Sequence, residues 1–285
     1  MKVFPYLLSA ILLVHTTTAF AASSETSSQK HNKNATATLS YMEEFESNPF
    51  ISKKERKKIR GCLMPESHPI KPALDAIFYT QRATMDDETF AAAGFLTKFM
   101  QPRSFIRVAS HPLLPGYLVK VYLDTEKREK RDTPGWQWFY RRIKGANKIR
   151  KIITTSKVQH FVVPQKWIYP IPQHPSPPDT SEYARKNVIL VVENMNLVPM
   201  DENLHAWKTK ITPAHLEELF RIITFAGGES YRADNIAYTR NGKFAFIDTE
   251  YPHKKPNYRN LTKYLSADMA AYWTELVSGK RRPQH

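Results

Sequence analysis

The feature that most constrains this chain is a short β-hairpin near its C-terminal end. Residues 236–238 and 243–247 alternate in the manner of two strands, and Asn241-Gly242 between them tolerates the positive φ angles of a tight turn. The hairpin follows Asn235 directly and ends at Asp248, so an amide and a carboxylate are expected at its open end. Mg²⁺ prefers one or two carboxylates together with substrate phosphates. The sequence therefore predicts Asn235 and Asp248 as metal ligands, unless Asn235 merely caps a turn and Asp248 forms a surface ion pair.

The spacing and the ending of this hairpin resemble the protein-kinase-like superfamily. In that superfamily an Asn before such a hairpin and an Asp after it hold the metal ions. Asp248 follows Asn235 at the interval usual in protein kinases, and Ile247-Asp248-Thr249-Glu250-Tyr251 is similar to the corresponding segment of choline and aminoglycoside kinases. The resemblance covers about residues 105–276. It implies an α+β, two-lobed kinase-like fold with an N-terminal helical extension, and it implies Mg²⁺ and ATP as cofactors.

Two residues upstream are predicted to bind the nucleotide. Lys120 lies between Val119 and Val121, and strand alternation places its side chain on the opposite face from the two valines. It is similar to the kinase strand lysine that pairs with nucleotide phosphates. Glu193 follows the apolar strand 188–192, where the resemblance implies a hinge that contacts adenine. A solvent-facing lysine and an acidic strand end are the plainer interpretations.

The catalytic machinery departs from the kinase pattern. The position five residues before Asn235, where a kinase has its base, holds Ser230, which cannot accept a proton at neutral pH. Glu229 and Asp234 are the nearest candidate catalytic carboxylates, and Asp234 could instead ligate a metal. No Asp or Glu lies in residues 133–178, so the predicted long helix lacks the glutamate that pairs with the strand lysine. The sequence thus leaves open an atypical phosphotransferase or a nucleotide-binding pseudokinase.

The N-terminus has the pattern of a secretory signal. Met1-Lys2 precedes an apolar run over 3–14 and the small-residue site Ala19-Phe20-Ala21, which predicts a signal peptide over 1–21 cleaved after Ala21. The run is short for a membrane span, and no later segment offers the roughly 20 apolar residues that one needs. We therefore expect a secreted or periplasmic protein. Residues 22–42, rich in small polar side chains, are predicted to form a disordered tether.

The remaining chain divides into three predicted regions. Residues 43–104 are expected to form the helical extension, because apolar residues recur at helical spacing from Lys71 to Met100. Residues 105–197 are expected to form a sheet, in which 105–109 and 117–123 pair as a hairpin, and a helix with an apolar stripe at about 135–154. Residues 198–285 are expected to form the remaining helices, one of them capped by Thr212, and the metal-site hairpin. Cys62 is the only cysteine, so no intrachain disulfide forms.

Positive charge suggests a second kind of function. The formal net charge is +15, and the basic residues concentrate in runs at 52–60 and 141–151. Such surfaces attract the phosphates of nucleic acid, anionic lipid or a phosphorylated ligand, although solvated helix faces have the same composition. The alternative to a nucleotide-dependent protein is therefore a non-enzymatic secreted or envelope protein that binds a protein or an anionic surface through its basic helices. The predicted export disfavours nucleic acid as the partner.

Overall fold

A computed structural model describes residues 40–101, 105–250 and 254–281, with the backbone alone for 99–101. The predicted signal peptide and residues 22–39 of the predicted tether lie outside these ranges. The fold is α+β, as predicted. Its α-helices are α1 (Tyr41–Ser47), α2 (Lys53–Ile59), α3 (Lys71–Phe78), α4 (Asp87–Ala92), α5 (Gly135–Thr155), α6 (Met200–Thr209), α7 (Pro213–Ala226) and α8 (Ala267–Val277). Its strands are β1 (Leu96–Gln101), β2 (Ile106–Ser110), β3 (Tyr117–Val121), β4 (Phe161–Val162), β5 (Lys166–Pro170), β6 (Val188–Glu193), β7 (Ile236–Tyr238) and β8 (Phe244–Phe246).

Two sheets organise the described residues. The larger sheet has five antiparallel strands in the order β1-β2-β3-β6-β5. In its predicted β2–β3 hairpin, Val108 pairs with Lys120. The smaller sheet has the order β4-β8-β7, and Ile236 pairs with Phe246 in the antiparallel β7–β8 hairpin. Both hairpins predicted from alternation and turn residues are therefore present.

The segment after α4 differs from the prediction. Asp86 caps α4 by accepting a hydrogen bond from the Thr89 backbone N–H at 2.8 Å. The helix then ends, and Gly94 adopts a φ of +91°, which favours glycine. Leu96–Gln101 forms the edge strand β1 instead of continuing the helix. The helical spacing of Phe95, Leu96 and Phe99 was misleading, because a short strand of mixed apolar residues carries little periodic signal.

The first helix also begins earlier than expected. Ser40 caps α1, and Tyr41 is buried. The Tyr41 ring stacks on Tyr169 with centroids 6.2 Å apart, and the Lys71 amine lies 4.3 Å from the Tyr41 ring centroid. Residues 41 and 42 therefore belong to the folded part of the chain and not to the tether.

Helix α5 connects the two sheets. Its apolar stripe buries Phe139 and Ile143 in a core shared with β5 and β6, and Ile149 in a second core with α7, α8 and the β7–β8 hairpin. Thr212 caps α7, as predicted, and Gly227 ends that helix with a φ of +67°. Since α5 reaches both cores, it can bring groups from both sheets together. Within the described ranges, no helix is long and apolar enough to cross a membrane.

Candidate functional site

The open end of the β7–β8 hairpin brings Asn235 and Asp248 close together. The backbone N–H of Ile247 donates to the Asn235 carbonyl at 2.9 Å. The Asn235 side-chain amide donates to the Ser230 carbonyl at 2.7 Å and so closes the loop between these two residues. Asp248 follows the hairpin, and its side chain is 26% exposed. The hairpin geometry expected from the sequence is therefore found.

An arginine from α5 contacts the carboxylate predicted to bind metal. Arg142 Nε donates to Asp248 Oδ1 at 3.3 Å, and the same guanidinium forms an ion pair with Glu250. Lys130 Nζ donates to the other Glu250 oxygen at 2.6 Å. Arg142 and Glu250 have side chains only 3% and 5% exposed. The two carboxylates after β8 are thus held by cations from α5 and from the segment before it.

A buried lysine fixes the same segment from the other side. Lys166 Nζ, on β5, donates to the Ile247 carbonyl at 3.2 Å and to Thr249 Oγ1 at 3.1 Å. Thr249 Oγ1 in turn donates to the Arg142 carbonyl at 2.6 Å. A Cβ at Gly145 would lie 2.3 Å from the Thr249 carbonyl oxygen, so only glycine permits this approach. Residues 247–250 are therefore fastened to α5 and β5 by hydrogen bonds and close packing.

Electrostatic interaction links Lys120 to this segment. Burial lowers the Lys120 pKa to about 8, Arg142 and Lys130 act in the same direction, and Asp248 and Glu250 oppose them. Burial lowers the pKa of Lys166 well below its ordinary value, with a further contribution from Lys120. Burial also opposes ionisation of Asp248, but Arg142, Lys120 and Lys166 outweigh it and hold the Asp248 pKa below its usual range. Lys120 and Asp248 therefore interact, although they come from different sheets.

We call this group of side chains the charge cluster. Its members meet where β3, α5, β5 and the end of the β7–β8 hairpin come together. They are the basic side chains Lys120, Lys130, Arg142 and Lys166 and the carboxylates Asp248 and Glu250. Even without Lys166, whose pKa burial lowers well below its ordinary value, three cations face two carboxylates, so the cluster has a positive excess in a largely buried environment. Such an excess favours an anion.

A small cavity adjoins the cluster between α5 and the loop after α7. Its volume is about 10 Å³, which is the room needed by about one water molecule. Glu229, Ser230 and Asp248 are among its lining residues. Asp234 is not, and its carboxylate forms an exposed ion pair with Arg232, with Nη2 and Oδ2 2.6 Å apart. Of the two candidate catalytic carboxylates, Glu229 alone lines this cavity with Asp248.

Glu193 lies apart from the cluster on the large sheet. It pairs with Tyr117 across β3 and β6, whereas Lys120 pairs with Leu190. Three residues of strand separate the two positions by about 10 Å. The Glu193 carboxylate accepts a hydrogen bond from the Gln165 backbone N–H at 2.7 Å. The two predicted nucleotide-binding residues therefore occupy different parts of the sheet.

The donors in the charge cluster fit Mg²⁺ poorly. Among the described residues, no group of three or more His, Cys, Asp and Glu side chains could hold a metal ion. Asp248 accepts from Arg142, and a cation entering beside it would also meet Lys120 and Lys166. Repulsion between like charges at short range opposes metal binding there. These residues suit a phosphate group better than a metal ion.

Sequence reasoning missed the most buried members of the cluster. Arg142 belongs to the basic run 141–151, but it lies on the apolar stripe of α5, between the buried Phe139 and Ala146. A charged residue on a buried face requires a partner, and α5 itself carries no acidic residue. An arginine on the buried face of a helix without acidic residues therefore indicates that a carboxylate from elsewhere in the chain pairs with it. Lys166 begins a strand buried on both faces, but its sequence neighbours give no comparable signal.

No family model matches this chain, and no curated protein is significantly similar to it.

Proposed function

We propose that this protein is an exported, kinase-like pseudokinase that binds the phosphates of a nucleotide without transferring them. The observation that carries the proposal is the positive excess of the charge cluster. Arg142 forms an ion pair with Asp248, Lys120 interacts with it electrostatically, and burial together with Arg142 and Lys130 lowers the Lys120 pKa to about 8. A bound phosphate would offset this repulsion and accept charge-assisted hydrogen bonds.

The order of elements supports a kinase-like arrangement. Lys120 lies on the third strand of an antiparallel sheet, and the long helix α5 follows that strand. Further along the chain, Asn235 precedes the β7–β8 hairpin and Asp248 follows it. Asp248 interacts with Lys120. This is the order that the sequence resemblance implies. The two sheets, joined by α5, correspond in this proposal to the two lobes.

The loop around Ser230 argues for binding without catalysis. Ser230 occupies the position of the base, and a serine hydroxyl does not accept a proton at neutral pH. Asp234 is paired with Arg232 at the surface. Arg142 occupies an oxygen of Asp248, the carboxylate that would hold the metal in a phosphotransferase. We therefore favour a pseudokinase over an atypical phosphotransferase, with Lys120 in contact with phosphate.

Thermal unfolding with added ligands tests this function. ATP and inorganic tripolyphosphate should both raise the melting temperature by mass action, with or without Mg²⁺, whereas adenosine should not. Lys120→Met should remove most of the shift, and Lys98→Met, at an exposed site on β1, should retain it.

Two results would overturn the proposal. Absence of any shift at saturating ATP would exclude nucleotide binding at this site. A shift that requires Mg²⁺ and disappears in Asp248→Ala would instead support the metal site predicted at Asn235 and Asp248.

A further inference from the structure

The two basic runs of the sequence meet at one aromatic ring. Lys58 of α2 and Lys144 of α5 have their amines 6.0 and 5.9 Å from the centroid of the Tyr140 ring. The runs 52–60 and 141–151, separate in the chain, therefore adjoin at Tyr140. The helices pack there because Ile59 and Ile143 share a core.

Lysines continue along the outer side of α5. Lys144, Lys148 and Lys151 follow one another at helical spacing and are exposed, and α5 contains no Asp or Glu. The acidic residues of the two helices packed on α5 are engaged elsewhere. Glu55 of α2 is buried, Glu217 of α7 accepts from the Tyr272 hydroxyl, and Glu218 of α7 accepts from the backbone of residues 159 and 160. Lys144 and Lys151 are therefore not paired with these carboxylates.

An exposed aromatic side chain lies beside the lysine row. Lys148 Nζ donates to the Ala226 carbonyl at 3.1 Å, at the end of α7. The preceding residue, Phe225, is 71% exposed, the highest value among the large apolar side chains described. The turn that follows also contacts Lys254, whose carbonyl accepts from the Gly228 N–H at 2.8 Å, and Lys254 and Lys255 are exposed. Lys148 and the chain at Lys254 thus contact the end of the helix that carries the exposed phenyl ring.

We infer that this surface docks the protein on an anionic lipid bilayer. We call it the basic face and define it as Lys58, Lys144, Lys148, Lys151 and Phe225. Lysines near an anionic membrane each strengthen binding about five-fold through the surface potential, without a required geometry. A phenyl ring adds apolar burial at the headgroup boundary, which a duplex nucleic acid backbone does not offer. The inference does not depend on nucleotide binding, because none of these residues belongs to the charge cluster.

Vesicle co-sedimentation of the full chain tests the inference. The protein should bind vesicles of phosphatidylcholine mixed with phosphatidylglycerol, should not bind phosphatidylcholine alone, and should dissociate as salt is raised. Substituting Lys58, Lys144 and Lys151 together by Gln should weaken binding on the order of 100-fold. Phe225→Ser should weaken binding about ten-fold while leaving the charge unchanged. The same substitution by Gln at three lysines elsewhere should have little effect. These are Lys208 of α6, Lys210 directly after α6 and Lys243 of the β7–β8 turn.

Several outcomes would overturn the assignment. Equal binding to neutral vesicles, absence of binding to anionic ones, or equal losses in the two triple variants would exclude the basic face. Binding to RNA or heparin as tight as to vesicles, and unaffected by Phe225→Ser, would identify a general polyanion surface. Melting curves of each variant show whether a loss of binding reflects unfolding, and Phe225→Ser provides a test that does not alter any lysine.

Discussion

Arg142 on α5 and Asp248 after β8 form an ion pair, with Nε and Oδ1 3.3 Å apart across 106 residues of chain. The same arginine pairs with the buried Glu250. The Arg142 side chain therefore joins the segment after the hairpin to α5, the helix that connects both sheets. Its positive charge also contributes to the lowered pKa of Lys120. This one residue couples the stability of the fold to the chemistry of the charge cluster.

Removing the arginine should destabilise the protein strongly. Arg142→Met leaves Asp248 without its arginine and Glu250 with Lys130 alone, and breaking a buried pair in this way costs about 3–5 kcal/mol. Arg141→Met is the matched control, since Arg141 is only partly buried and contacts the Trp138 ring at 4.7 Å. Urea unfolding should show a loss of about 1 kcal/mol or less for the control. Similar losses in the two variants would mean that the buried pairs contribute little.

The close contact between α5 and residue 249 gives a second prediction. Alanine normally stabilises a helix interior by about 1 kcal/mol relative to glycine. Gly145→Ala should instead destabilise the protein, because the added Cβ would lie 2.3 Å from the Thr249 carbonyl oxygen. The expected loss of unfolding free energy is about 1–3 kcal/mol. At Gly61 a Cβ would meet no atom within 4 Å, so Gly61→Ala should change stability little. Thermal unfolding of the two variants measures the difference; a stabilised Gly145→Ala would contradict the described packing.

The fold was more predictable from sequence than the site. Alternation and turn residues indicated the β2–β3 and β7–β8 hairpins, and an apolar stripe indicated α5, because these signals are local. Strand β1 was missed since its apolar spacing also fits a helix. The role of Arg142 depends on carboxylates more than 100 residues away, with which it is paired at 106 and 108 residues' separation. No local pattern encodes such a pairing; only its position on a buried helix face hinted at one.

The buried glutamate of α2 predicts an unusual pH dependence. Burial raises the Glu55 pKa from 4.5 to about 7. Between these values the folded state retains a proton that the unfolded state releases, so this contribution to stability is full below pH 4.5 and is lost as pH rises through 7. Glu55→Gln, which imitates the protonated form, should therefore stabilise the protein above pH 7 by on the order of 2 kcal/mol and have little effect at acidic pH.

Urea unfolding across this pH range measures the effect. The matched substitution Glu88→Gln, at an exposed position of α4, should leave the pH profile of stability unchanged. A constant difference between Glu55→Gln and the parent at all pH values would show that burial does not perturb this carboxyl.

Calorimetric titration of ATP into the parent protein and Lys120→Met tests the central claim most directly. Lys120 is charged below its pKa of about 8, so affinity should be highest at neutral pH and should fall as pH rises through and above that value. Loss of one charge-assisted hydrogen bond corresponds to a roughly ten-fold or greater weakening. Lys120→Met should bind at least about ten-fold more weakly at neutral pH and should lack this decline with pH, while Lys98→Met should match the parent. Absence of ATP binding by the parent protein, or equal affinity in Lys120→Met, would contradict phosphate recognition by the charge cluster.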